Sequence, residues 1–135
     1  MHKDEKGNFI GNGEDAAFEI LKQLFPTLEI KRQVKFKELL QGEWLDTLTE
    51  RQEKETIDIV VYSNPILAVR VQDPRHSSNG LAQRDLVQRK TLEWNNVKVV
   101  DLYHYECKNL MKDVINQESK NELIGCLKSE GVYVV

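Results

Sequence analysis

Two carboxylates stand where the surrounding pattern calls for apolar side chains. Asp58 interrupts Ile57-Asp58-Ile59-Val60-Val61, a run otherwise made of β-branched residues. A charge in a buried strand is costly unless it is paired or bound to a cation. A salt bridge to Arg32 or Arg70 is one reading, and an active-site carboxylate is the other. Glu14 shares a helical face with Ala17, Phe18, Leu21 and Phe25 and so points toward the core, whereas Glu19 falls on the polar side with Asp15 and Lys22. A first-turn acid favoured by the helix dipole is the plainer account of Glu14. In 66–72 the period of two sets Arg70 and Gln72 on one face with Ile66 and Ala68, and Leu67, Val69 and Val71 on the other. Asp73, Arg75 and His76 carry the polar run onward. Together these residues have the makings of metal-assisted phosphodiester hydrolysis. Glu14, Asp58 and Asp73 would supply oxygen ligands for Mg²⁺ or Mn²⁺, His76 a base or proton donor, and Arg70 charge for the phosphate.

The elements that must position them follow from periodicity. A helix is expected over 14–25, ended by Pro26. Residues 28–36 alternate as a strand, with Ile30, Arg32, Val34 and Phe36 on one side and Lys31, Gln33, Lys35 and Lys37 on the other. Residues 38–55 read as an acidic loop with a short helix. Strands 56–62 and 66–72 are joined by Ser63-Asn64-Pro65, short enough for an antiparallel hairpin. A polar loop over 73–80, a helix over 81–94 and an apolar strand over 97–103 come next, then helical segments over 105–112 and 117–129. The helix between two apolar strands acts as a crossover, which predicts an α/β fold with a mixed sheet flanked by helices.

The chain has 135 residues, enough for one domain: a loose lead-in over 1–12 and a single unit over 13–135. With 40% hydrophobic and 30% charged residues it should bury an ordinary core. A mean hydropathy of -0.53 excludes a membrane protein. The charged start, Met1 to Lys6, is unlike a secretion signal, and a reduced, cytoplasmic chain is expected. Cys107 and Cys126 are too few for a disulfide framework or a four-cysteine zinc site. Net charge is -3, which excludes binding to nucleic acid through bulk positive charge. Basic residues nevertheless gather at 31–37 and 70–98, where a local groove or a solvated charged face would account for them.

The order of a helix-borne Glu14, a strand Asp58, a polar pair Arg70 and Gln72 at the end of the next strand, then helix and strand, resembles the PD-(D/E)XK nuclease superfamily. Asp73-Pro74-Arg75-His76, Arg84-Asp85, Arg89-Lys90 and Val97-Lys98-Val99-Val100 are similar to the branch of very-short-patch-repair endonucleases and their small relatives. The resemblance implies a restriction-endonuclease-like fold and places Glu14 at the helix acid and Asp58 at the strand acid. Arg70 and Gln72 fall where the family carries an acid and a lysine. That branch lacks the usual pair there and uses a histidine in the following loop, a position matched by His76. Arg84 offers a cation that could migrate into the site.

Two functions follow. One is a metal-dependent DNA endonuclease built around Asp58, Gln72, Glu14, His76 and Arg70, of repair, restriction or mobile-element type. The other is a catalytically degenerate module of the same fold that binds nucleic acid or protein without cutting. DNA would be held by Lys31, Lys35, Lys37, Arg75, Arg84, Arg89 and Lys90. A homodimer is expected, since two-fold pairing doubles the footprint of a small chain on a duplex.

Overall fold

The computed structural model describes residues 13–72, 79–103 and 106–134. Helix α1 (Glu14–Leu24) opens after Gly13, whose φ of 84° is one that L side chains rarely adopt. Acids in its first turn and Lys22 in its last complement the helix dipole, and it buries Glu14, Ala16, Ala17, Ile20 and Leu21. Strand β1 (Ile30–Lys35) follows, then 3₁₀ turns at Phe36–Leu39 and Gly42–Thr47. Helix α2 (Glu50–Lys54) starts on a capping box in which Thr49 and Gln52 satisfy each other's backbone amides. The rest is β2 (Thr56–Val61), β3 (Leu67–Gln72), α3 (Asn79–Trp94), β4 (Lys98–Tyr103) and α4 (Gln117–Ser129), the last capped by Asn116 and Ser119.

The four strands lie in the order β1-β2-β3-β4. β1 and β2 are antiparallel, as are β2 and β3, whereas β3 and β4 are parallel with α3 as the crossover. The mixed α/β sheet and the 56–62/66–72 hairpin expected from the sequence are therefore present. On one face Ile59, Val61, Leu67, Val69, Val100 and Leu102 pack with α1 and α4. On the other, Val60, Ala68 and Val99 pack with Leu92 of α3 and with Phe36, Leu39 and Leu40. Among the described residues no helix is long and apolar enough to cross a membrane.

The expected face assignment of β1 needs correction. Ile30 packs on the α1 side, but Val34 and Phe36 belong to the opposite cluster. Strand alternation is broken at Gln33, whose φ is 51°. β2 changes side at the matching place, with Ile59 in the first cluster and Ile57 in the second. The β1–β2 ladder pairs Arg32 with Ile59 and Val34 with Ile57, so the switch falls on Gln33 and Asp58.

The helix expected over 105–112 is also replaced, within the described residues, by turns and one 3₁₀ turn, Leu110–Lys112. The Glu122 carboxylate on α4 takes the N–H groups of Asn109 and Leu110, and Asp113 closes the segment with a φ of 57°. The acidic stretch 38–55 holds the short helix expected there, α2, together with the Gly42–Thr47 turn.

Candidate functional site

Asp58 sits where two strands part. The β2–β3 ladder runs from Val61–Leu67 to Ile59–Val69. Beyond it the Asp58 Oδ2 accepts the Val71 N–H at 2.7 Å, so a side chain takes over from the backbone ladder. Burial pushes the Asp58 carboxyl up to about 6, against the pull of that N–H; the nearby Glu14 charge adds to the rise, while Gln33 and the Arg70 charge lower it.

Glu14 is aimed inward, as its helical phase predicted, and is 3% exposed. Its Oε1 accepts from Arg32 Nε at 3.2 Å, Arg32 Nη2 at 3.1 Å and Gln33 Nε2 at 2.9 Å. Arg32 Nη1 also meets Asp15 at 2.6 Å. Thr56 donates its hydroxyl to Gln33 Oε1 at 2.9 Å. Arg32, a candidate partner for Asp58, is thus the partner of Glu14 and Asp15. The left-handed turn at Gln33 carries the amide that reaches Glu14 and lies beside Asp58.

A heavily bonded carboxylate on the next strand was not singled out from the sequence. Asp101 lies opposite Arg70 in the parallel β3–β4 register. Arg70 forks onto it, with Nε to Oδ1 at 2.6 Å and Nη2 to Oδ2 at 2.9 Å, and both residues are buried. Arg70 Nη1 donates to the Asp85 carbonyl at 2.8 Å and to Gln88 Oε1 at 3.2 Å. Gln72 Nε2 reaches Asp101 Oδ1 at 2.9 Å and Arg89 Nη1 reaches Oδ2 at 2.8 Å. Burial works to raise the Asp101 carboxyl, but the bonds and charge of Arg70, with Gln72 and Arg89, outweigh it and hold it below the ordinary range. Two aspartates on neighbouring parts of one sheet are thereby driven in opposite directions.

A cavity of about 310 Å³ opens over this region, lined by Thr56, Asp58, Arg70 and Gln72 together with Arg51, Glu55, Arg84, Asp85 and Gln88. Asp58, Arg70, Gln72 and Arg84 are therefore brought together, and Glu14 lies behind Asp58 rather than in the cavity wall. Arg51 and Arg84 are exposed. Lys35 is exposed and pairs across the ladder with Thr56 of the cavity wall. Lys31 is exposed on the same strand but is held by Glu29 at 3.2 Å and lies over the Tyr62 ring. Lys37 is half-buried and Lys90 exposed. Arg89 turns inward: Asp101, Glu93 and Glu130 each accept from it at 2.8 Å. Asp73, Arg75 and His76 lie outside the described residues.

Among the described residues, Glu14 and Asp58 alone are a poor match for a hard cation. Mg²⁺ needs an octahedron of oxygens near 2 Å. One Glu14 oxygen already accepts three hydrogen bonds, one Asp58 oxygen accepts the Val71 amide, and the guanidinium of Arg70 stands in the same wall. Among the described residues no group of three or more His, Cys, Asp or Glu is placed to hold a metal ion.

The signal for Asp101 was legible in principle. It interrupts Val99-Val100-Asp101-Leu102 as Asp58 interrupts its own strand. Arg51 and Gln88 carried no such mark. Comparison with models of known families, with curated proteins and with solved structures finds no match.

Proposed function

We propose that this chain is a degenerate nuclease-fold module that grips the phosphate backbone of DNA at the Asp58 cavity and does not cut it. The observation that carries the reading is the Arg70–Asp101 fork. A guanidinium, fixed by two hydrogen bonds and buried, stands where the PD-(D/E)XK resemblance calls for a metal-ligating acid. Its charge is matched by Asp101, and the guanidinium has no lone pair to offer a cation where a ligand oxygen would be needed. Gln72, at the position of the family's lysine, carries no charge to offer the phosphate and is itself bonded to Asp101. Exposed Arg51 and Arg84 line the cavity, and exposed Lys35 stands next to Thr56 at its margin. These three cations stand beside the Glu55 and Asp85 carboxylates of the same lining, and Arg51 lies 3.8 Å from Glu55, so a phosphate would have to draw Arg51 from that exposed pair. Arg89 does not belong with them, because its guanidinium is shared among three carboxylates.

Three phosphate contacts give a salt slope of about -2.7 on logarithmic axes, so affinity should fall about 40-fold between 50 and 200 mM salt. Fluorescence anisotropy with a labelled duplex reads this directly. In the double variant Arg51→Ala, Arg84→Ala the slope should drop by about 2. Absence of binding at 50 mM salt, or an unaltered slope in the double variant, overturns the proposal.

The second reading is cleavage dependent on Mg²⁺ or Mn²⁺. It is favoured by Asp58, an acid in the same cavity whose carboxyl is pushed up to about 6. On that reading supercoiled plasmid is nicked when metal is added and Asp58→Ala abolishes the nicking.

A further inference from the structure

The two cysteines play no part in the site above. Cys107 lies in the turn that follows β4, with its N–H on the Tyr103 carbonyl at 3.0 Å and its own carbonyl accepting from Met111 at 2.9 Å. Cys126 lies in the last turns of α4. Both are free thiols and buried, and their Sγ atoms are 3.2 Å apart. The contact joins two segments that are 19 residues apart in sequence. Backbone hydrogen bonds hold each segment in place, so the sulfurs meet as a consequence of the fold rather than of chain flexibility.

We propose that Cys107 and Cys126 form an oxidisable dithiol, which closes to an intramolecular disulfide when a hydroperoxide reaches Cys126. The geometry distinguishes the two sulfurs. Cys107 is 0% exposed, whereas Cys126 is 7% exposed and follows Gly125. Gly125, its neighbour in α4, is exposed, so Cys126 lies at the border between the buried and the solvent faces of the helix. Either sulfur can donate in the contact between them, and the Cys126 Sγ also lies 3.9 Å from the Glu106 carboxylate. Cys126, the less enclosed of the two, is therefore the sulfur a peroxide reaches first, and Cys107 is the resolving thiol.

The steps balance. The Cys126 sulfur attacks one oxygen of hydrogen peroxide, the O–O bond breaks, and the departing hydroxide takes the thiol proton and leaves as water. Cys126 is then a sulfenic acid. The Cys107 sulfur displaces hydroxide from it, loses its own proton to that hydroxide, and a second water leaves. Two thiols are oxidised by two electrons and one peroxide is reduced to two waters. The sulfurs need to approach from 3.2 Å to about 2.05 Å, a movement of about 1 Å shared between a turn and a helix end. The resulting bond ties α4 to the turn at the end of β4. The inference is independent of any nucleic-acid role.

Intact-mass analysis of the full chain, reduced and then treated with hydrogen peroxide, tests it. The expected product is a monomer lighter by about 2 Da, with both thiols protected from alkylation in denaturant and a Cys107–Cys126 linked peptide after digestion. In Cys107→Ala the resolving sulfur is gone, and dimedone should label Cys126 as the sulfenic acid. Intermolecular dimers, sulfinic acid on one cysteine with the other still free, or two alkylatable thiols after a dose that oxidises free cysteine would each overturn the proposal. The wild-type measurement decides the matter even if Cys107→Ala fails to fold.

Discussion

Replacing Asp58 by Asn should stabilise the protein, by an amount that depends on pH in a calculable way. Lifting a carboxyl from 3.8 to about 6 makes its ionised form about 3 kcal/mol less favourable in the folded state than in the unfolded chain. The direction is opposite to that of a salt-bridged aspartate. Well below 3.8 the group is protonated in both states and carries no cost; the cost sets in as pH rises through 3.8, grows toward 6 and is complete above it. Asparagine is never ionised, and its Oδ1 can accept the Val71 N–H that Asp58 Oδ2 accepts. Urea titrations at pH 8 and pH 4 isolate the effect. Asp58→Asn should exceed wild type by up to about 3 kcal/mol at pH 8 and by about 0.5 kcal/mol at pH 4. A difference that does not change with pH would refute the assignment of Asp58 as a desolvated acid. A gain of that size would also mark Asp58 as a group kept at a cost to the fold, the usual signature of a functional position.

Arg70→Glu should cost about 3–5 kcal/mol in chemical denaturation, because it sets a second carboxylate against buried Asp101. The exchange Arg70→Glu with Asp101→Arg restores opposite charges across the same β3–β4 pair, and a double-mutant cycle should recover more than 1 kcal/mol of the loss; equal losses in the single and double variants would dissolve the claimed coupling. The double variant also restores an acid beside Asp58, so calorimetric titration with Mn²⁺ should show tighter binding than wild type. Gly13→Ala should lower stability by at least about 1 kcal/mol, since φ is 84° and the new Cβ would lie 2.8 Å from Met111 Sδ and 3.0 Å from the Leu110 carbonyl. A thermal midpoint equal to wild type would contradict this.

Much of the scaffold was legible because its signals are local. The helical phase of 14–25 put Glu14 inside, the short Ser63-Asn64-Pro65 link implied the hairpin, and strand parity separated Arg70 and Gln72 from Leu67, Val69 and Val71. A crossover helix between apolar strands implied the parallel β3–β4 pair. What escaped depends on register and on backbone conformation. Nothing in the β1 pattern announces that Gln33 takes a left-handed φ, yet that one residue moves Val34 to the other face and brings an amide to Glu14. Asp101 was visible as an odd residue in a strand, but its partnership with Arg70 spans 31 positions and follows only once the strands are aligned. Arg89 shows the same limit from the other side. Its charge reads as a surface cation in the sequence, and only the fold reveals three carboxylates around it.

DNA held at the Asp58 cavity and left uncut, as proposed, can be read out on a pair of gels. A labelled duplex is incubated with the protein at 50 mM salt in the presence of Mg²⁺ or Mn²⁺, and each sample is split between a native and a denaturing gel. A retarded complex on the native gel and full-length strands on the denaturing one are expected. Shortened strands with wild-type protein that vanish with Asp58→Ala, or a duplex that is not retarded at all, would contradict the proposal.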